Sequence, residues 1–544
     1  MPPFPDRVLH CLRQVLLAAL LALAPLGVAA RDAAAEDAVP KDLAIGFGSD
    51  ITTLDPHYQG FTPNVVVARH IFDALTRTDD RLRLQPGLAE RWEAINETAW
   101  VFTLRAGVRF HDGAPLRAAD VVASLKRAAR PTDSPNPYLA RIAGLVDARA
   151  VDDLTVFLTT KRPEPVLPAL LAHVAIIPER LAGAAREAFD GGAAVVGSGP
   201  YRLARWRRGE AIELTAFDGY WAGPPPWRRV SFRVLPRPAA RVAALLGGTV
   251  QVIAQVPPAD ALRLRHDPAV TVVSGLSGRL VYLGLDSGRD RSPFVTDRAG
   301  KPLDRNPLRD ARVRRALSKA INRPQLAEQV LEGLAIPAGQ MLPDGFPGVS
   351  PRLRPEAHDP EGARQLLAEA GWPDGFALTL HVPSDRYVNA AAVARSIGVM
   401  LSRAGIATRV EELPSAQFFP RAGRLEFSAL MAGLGTDTGE TSDMMVALLA
   451  TRDPARQRGL LNRGLYSNAA LDALLERASS AMDPVERGGL LGEASDMAMQ
   501  DAALLPLYHE VSTWAMRRGL SYLPRIDEFT LAVEVKSEKS HPLE

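Results

Sequence analysis

The chain has 544 residues, and at roughly 150 residues per domain that length suggests three or four lobes or subdomains rather than one hydrophobic core. Its 47% hydrophobic and 23% charged residues are ordinary globular values, which excludes a disordered chain or a coiled coil. The 64 basic and 62 acidic residues nearly cancel, and without a long Lys/Arg block or a basic-aromatic stripe nucleic acid is not an expected partner.

The first element is a leader. Arg7 and Arg13 flank the short charged start, and Val15 to Ala30, VLLAALLALAPLGVAA, is apolar. It ends in Val28-Ala29-Ala30, the small −3/−1 pattern of a signal-peptidase site, and a second possible cut follows Ala33-Ala34-Ala35. Broken by Pro25, the stretch is shorter than the roughly 20 residues that span a bilayer. Residues 1–30 therefore predict a signal peptide and an exported, soluble, periplasmic chain. The only cysteine, Cys11, precedes the apolar stretch and follows His10, so it is misplaced for lipid attachment and leaves with the leader. The mature chain is expected to carry no lipid, disulfide or thiolate.

After a polar linker, LAIGFGSDITTLDPH reads as a strand entering a turn. VVVARHIFDALTRTD follows as a helix with Val66, His70, Ile71 and Ala74 on one side. Trp100, Phe102 and Leu104 alternate as in a half-buried strand, HDG supplies a turn, and AADVVASLKRAAR a helix. Pro224-Pro225-Pro226 reads as a loop. In RDARVRRALSKAINR, Val313, Ala316, Leu317, Ala320 and Ile321 share one helical face, and Asp310 can cap it. DPEGARQLLAEAGW opens with Asp359 and Pro360 and closes at Gly371. FALTLHV, a helix through Val393, Ile397 and Leu401 ending at Gly405, and IATRVEEL make strand, helix, strand, which predicts parallel pairing in an open α/β sheet. The last sixty or so residues read as a helix capped by Asn468 and then short strands around ALLPLYHEVSTWAM.

Enzyme motifs are incomplete. Ser198 in VGSGPY lacks G-x-S-x-G and reads as a tight turn, and GLGTDTG is one residue too wide for a dinucleotide fingerprint. The ten histidines include no H-E-x-x-H, and His111-Asp112 in FHDGAP reads as a turn rather than a metal or acid-base pair. By composition Asp437, in LMAGLGTDTGETSDMM, is a turn acid. Only assembly from distant residues would make the chain an exported hydrolase, a weak alternative.

Phe72 to Arg127, from FDALTRTDD through FHDGAPLRAADVVASLKR, strongly resembles the signature region of family 5 solute-binding proteins, the dipeptide, oligopeptide and nickel receptors of ABC importers. LDPH (Leu54 to His57), VGSGPYRLARWRRGEAIEL, YLGLDSGR, RDARVRRALSKAINR, YSNAALDALL and LLPLYHE agree in order, so the resemblance covers nearly all of the mature chain. It implies an α/β, two-lobed periplasmic-binding-protein fold (type II, cluster C) with an extra subdomain in the first lobe. The implied segments are 36–76 (first-lobe core), 77–190 (extra subdomain), 191–283 (core again), 284–504 (second lobe) and 505–544 (return to the first lobe). The chain would cross between lobes near Leu283 and return near Leu504.

The resemblance also implies a function: an extracytoplasmic substrate-binding protein, not an enzyme, that closes over a small peptide or other amine-bearing solute. It would be a monomer, need no cofactor or metal, and dock on membrane permease subunits driven by ATPases. Asp437 falls on the acid of a GW-x-A-D-Y loop that pairs with a ligand's α-amino group in peptide-binding relatives. Leu434 replaces that loop's tryptophan, Thr438 its tyrosine, and Met431 stands where the oligopeptide receptor has a carboxylate-binding arginine. These departures keep open a non-peptide cargo such as an opine-like conjugate, an oligosaccharide or chelated nickel. Tyr282 at the crossing, Phe418 on the approach to the Asp437 loop, and Tyr58 and Asn64 after LDPH complete the candidate ligand set, with core or turn packing as the alternative role for each.

Overall fold

The computed structural model describes residues 42–130, 134, 142 and 144–538; the leader, Cys11 and residues 36–41 lie outside the described residues. A 12-stranded mixed sheet runs through both halves of the molecule. Its order is Val295–Thr296, Phe376–Pro383, Ala429–Gly435, Val270–Leu285, Leu505–Arg517, Val252–Ala254, Asp42–Phe47, Arg229–Val234, Ala211–Ala216 and Tyr201–Arg207. Ile406–Leu413 adds to Phe376–Pro383, and Ala335–Pro337 to Leu505–Arg517.

Two long strands, Val270–Leu285 and Leu505–Arg517, carry the chain from one half to the other. They pair antiparallel from Val270↔Arg517 to Leu276↔Val511, lose register, and resume at Leu280↔His509. On one side of that break the second strand meets Val252–Ala254; on the other the first strand meets Ala429–Gly435, Arg279 lying opposite Gly435. A ladder break removes cross-strand bonds where two halves must turn relative to each other.

Each half buries both faces of its part of the sheet. Along Leu280–Leu285, Leu280 and Tyr282 enter one core while Val281, Leu283 and Leu285 enter the other, the period-2 consequence of the pleat. Leu43, Ile45 and Phe47 likewise point to the opposite face from Ala44. The parallel pairing expected from strand, helix, strand is present: Phe376–Pro383 runs beside Ile406–Leu413, Phe376 opposite Ile406. The helix Ala390–Arg403 between them buries Val393, Ile397 and Leu401. Asp310, Asp359 and Asn468 accept helix N-terminal N–H groups as their positions predicted.

A separate four-stranded antiparallel sheet, Ala89–Asn96, Ala99–Leu104, Thr155–Thr160 and Leu145–Ala150, has its own core around Phe102, Leu125 and Leu158. One buried cluster staples it to the first half. Arg127, at the end of the helix Ala118–Ala128, reaches Asp55 with both guanidinium nitrogens at 2.7 and 2.6 Å and lies over the Phe189 ring. His57 meets Arg127 at 3.1 Å and the Ala175 carbonyl at 2.7 Å. Burial and the Arg127 charge lower His57 to about 4, so it is neutral there.

Two expectations are corrected and one helix is added. The helix after LDPH is Thr62–Ile71 and stops before Ala74, because the Ile71 carbonyl takes the Gly199 N–H at 3.0 Å instead of continuing the helical ladder. A helix that periodicity did not reveal, Pro484–Gln500, follows Ala469–Ser480; Asp483 caps it and Leu490, Leu491, Ala494 and Ala498 are buried. The segment after it is one continuous strand, Leu505–Arg517, rather than several short ones.

Candidate functional site

Asp437 lies just past the C-terminal end of the strand Ala429–Gly435, in a loop tied by two side chains. Thr436 Oγ1 accepts the Thr438 and Gly439 N–H groups at 3.2 and 3.1 Å, and Asp443 accepts the Asp437 N–H at 2.7 Å and its own neighbour Met444 N–H at 2.8 Å. Burial, and then the Asp437 charge beside it, raise the Asp443 carboxyl to about 7. The Asp437 side chain is half-buried. The fixed loop and two neighbouring acids suit a cationic ligand group.

The first half closes against this loop. His173 Nε2 donates to the Asp437 carbonyl at 3.0 Å. Gly439 has φ +75°, and a Cβ there would sit 2.8 Å from the Leu82 carbonyl, so the turn at Leu82 can approach only a glycine. Arg162 lies 4.0 Å from Glu476. Burial raises Glu164 to about 7; Arg162 opposes that shift and Glu440, across the junction, adds to it. The lobes are therefore closed.

A charged cluster fills the ladder break. Arg279 contacts Glu510 at 3.2 Å and Glu528 at 2.9 Å, and Ser277 also donates to Glu528. Burial opposes the charge on Arg279, but Glu528 and Glu510 outweigh it and raise its pKa. Glu528 is held low by Arg279 against its own burial, whereas burial pushes Glu510 up to about 7. Arg386 borders the same cluster: Arg279 first, and then burial, lower its pKa. Arg386 is exposed, lies 5.9 Å from the Tyr387 ring centre, and among the described residues forms no ion pair with a carboxylate. Next to it Tyr387 both accepts the Gly433 N–H at 2.7 Å and reaches the Gly433 carbonyl, so the Arg386 loop is bonded to the strand that leads to Asp437.

Arg386 is not among the sequence candidates, although topology offers a signal for it. Phe376–Pro383 and Ala429–Gly435 are adjacent parallel strands, Leu380 opposite Ala429. Arg386 and Asp437 both follow the C-terminal ends of these strands, the edge of an open α/β sheet where ligands gather. SDRYVN is therefore a candidate ligand loop by topology alone.

The other candidates occupy different surroundings. Met431 is fully buried in the core that contains Val281 and Tyr387. Tyr282 and Phe418 are buried in the core on the opposite face, with Leu434 packed against it half-buried. Burial raises the Tyr282 hydroxyl to about 12. Tyr58 is half-buried under the Arg186 guanidinium, 4.7 Å from its ring centre. Asn64 is buried and bonds Thr52 twice, at 2.9 Å each way, closing the loop after the first strand. Leu434 and Tyr282 thus lie on the strands around the lobe junction, with Asp437 just past the end of one, whereas Tyr58 and Asn64 belong to the first half.

Ser198 and His111 serve the fold. Ser198 donates to Asp73 at 2.9 Å rather than to a histidine. His111 donates through Nε2 to the Gly199 carbonyl at 3.0 Å and accepts the Gly197 N–H through Nδ1, so both ring nitrogens hold the glycine turn. Burial lowers it to about 4.

The model of Bacterial extracellular solute-binding proteins, family 5 Middle, matches residues 83–455. The chain belongs to this family. The glutathione-binding protein GsiB of Salmonella paratyphi A is 31% identical over 510 residues, covering 92% of this chain and 95% of that protein. Two solved structures share the fold: DppA of Helicobacter pylori in complex with the peptide STSA, with TM-score 0.74, 22% identity and coverage of 91% and 98%, and AgaA of A. tumefaciens R10 in complex with agropinic acid, with TM-score 0.73, 24% identity and coverage of 92% and 99%. This family-5 chain is a two-lobed solute-binding protein of an ABC importer and not an enzyme, which removes the hydrolase alternative. Among the described residues no helix is long and apolar enough to cross a membrane.

Proposed function

We propose that this solute-binding protein captures a small peptide with a free amino group and a free carboxylate, a glutathione-like tripeptide being the first candidate. The observation that carries the reading is the placement of Asp437 and Arg386 after neighbouring parallel strands at the closed junction. In such a site Asp437 takes the ligand's ammonium and Arg386 its carboxylate, both through charge-assisted hydrogen bonds. Arg386 supplies from another loop the cation that Met431 does not. The GsiB relatives, named for glutathione binding, support a peptide over the sugar, opine and nickel alternatives.

Closure around the strands Val270–Leu285 and Leu505–Arg517 leaves the cargo chemically unchanged, so the ligand acts by favouring the closed form. The segments 36–76, 77–190, 191–283, 284–504 and 505–544 are the proposed lobe divisions. The protein is proposed to be made with a cleaved leader at residues 1–30, to work as a periplasmic monomer without a lipid anchor, and to deliver cargo to permease subunits with their ATPases.

Calorimetry with glutathione, tripeptides, their N-acetylated and C-amidated forms, sugars, opines and nickel–histidine tests the cargo. Saturable binding of the unblocked peptides, weakened by either block, is expected. Binding only of a sugar, an opine or a nickel complex overturns the peptide reading.

A further inference from the structure

On the second lobe, a cavity of about 130 Å³ shares no lining residue with the Asp437 loop. Its wall includes Arg315, Ser318, Arg323, Arg354 and Glu356. The helix Ala311–Ala320, the short helix Arg323–Gln325, Ala338 and Gly339, the loop around Leu353 to Glu356, the end of the helix Pro484–Gln500 and the start of the strand Leu505–Arg517 meet there. Gly339 lets the loop come close, since a Cβ there would lie 2.3 Å from the Arg354 carbonyl carbon.

The charge at this cavity is unbalanced. Arg323 is 1% exposed. It donates to the Pro506 carbonyl at 2.7 Å, to the Ser318 and Glu356 carbonyls at 3.0 and 3.4 Å, and to Ser318 Oγ at 2.8 Å. Every one of these acceptors is neutral, and a guanidinium has five N–H donors, one more than these bonds use. Arg315 and Arg354 reach only backbone carbonyls, of Gln500 and of Pro351 and Leu353. Among the described residues none of the three arginines forms an ion pair; the one acid on the wall, Glu356, pairs with Lys319 at 3.2 Å. Burial lowers Arg323 to about 10, with Glu356 pulling the other way. A buried cation without a counter-charge is costly, and an anion in the cavity would offset that cost.

We propose that this cavity is a binding site for a small tetrahedral oxyanion of the phosphate or sulfate class, held by Arg315, Arg323 and Arg354. Guanidinium forks match the oxygens of such an anion better than ammonium groups do, and three of them line this cavity. The bound anion joins the helix to the loop through Arg315 and Arg354, and the strand entry through the Arg323–Pro506 bond, and so stiffens the second lobe without touching the cargo site. This inference is independent of the peptide reading.

Arg323 braces three segments and its removal endangers folding, so the test uses the exposed pair. Inorganic phosphate and sulfate are titrated calorimetrically into the full-length mature protein, and thermal stability is compared with chloride at equal ionic strength. Saturable one-to-one binding, competition between phosphate and sulfate, and a larger thermal stabilisation than chloride gives are expected. Arg315→Ala and Arg354→Ala each weaken phosphate binding at least tenfold, while Asp437→Asn binds phosphate unchanged. Equal effects of phosphate and chloride, or variants that bind phosphate as the parent does, overturn the proposal.

Discussion

Asp437 carries the residue-scale expectations. Its loop is fixed by Thr436 and Asp443 whether or not its own carboxylate is charged, so Asp437→Asn removes a charge without removing the loop. Binding of an unblocked peptide should weaken tenfold or more in Asp437→Asn, about 1.4 kcal/mol, with N-acetylated peptides unaffected in calorimetry. Arg386→Ala should show the complementary pattern, losing affinity for peptides with a free C-terminus and little for their amides. Equal losses for blocked and unblocked ligands would remove both residues from the site. At this scale the sequence was informative only where a motif surrounded the residue. Asp437 stood out as a candidate because its loop resembles a family pattern. Arg386 did not, because nothing local distinguishes one arginine from the many others in the chain.

At the scale of elements, motif residues far apart in sequence turn out to hold one structural contact together. Asp55 of LDPH and Arg127 of the long signature block are far apart in sequence, yet they form the buried pair that fastens the extra subdomain. Their side chains are 5% and 9% exposed, so Asp55→Ala leaves a buried guanidinium without its partner and should cost ~3–5 kcal/mol in denaturant unfolding. A loss below about 1 kcal/mol, the value typical of surface pairs, would show that the staple is not structural. Gly439 belongs to the same scale. Its positive φ and the nearby Leu82 carbonyl mean that Gly439→Ala strains the loop and pushes the first lobe away. Peptide affinity should fall severalfold while the melting temperature of the unliganded protein drops only slightly. Periodicity found the helices with a clear stripe and a cap, such as Ala311–Ala320. It missed Pro484–Gln500, whose Gly488-Gly489 pair and scattered small residues give no sharp apolar stripe.

For the whole molecule the closed junction has a pH dependence. Burial and Glu440 raise Glu164 to about 7 in the closed form, against an ordinary value of 4.5. A carboxyl with a raised pKa holds more protons closed than open, so closure is favoured as pH falls below about 7 and opposed above it. Small-angle scattering of the unliganded protein should show a more compact particle at about pH 5.5 than at about pH 8, and Glu164→Gln should reduce the difference. An identical profile at both pH values in the parent would contradict the assignment of this contact to closure.

The sequence alone determined the family, the strands and helices with a clear polarity pattern, and the caps Asp310, Asp359 and Asn468, because these depend on short-range patterns of polarity and on residues near one another in the chain. The tertiary structure decided which side chains share the junction. It placed His173 on the Asp437 loop, brought Arg279, Glu510 and Glu528 into one cluster, and put Met431, Tyr282 and Phe418 into buried cores. Such pairings cross hundreds of residues of chain. The sheet's register and the packing of its two faces fix them, and neither is encoded in any local stretch.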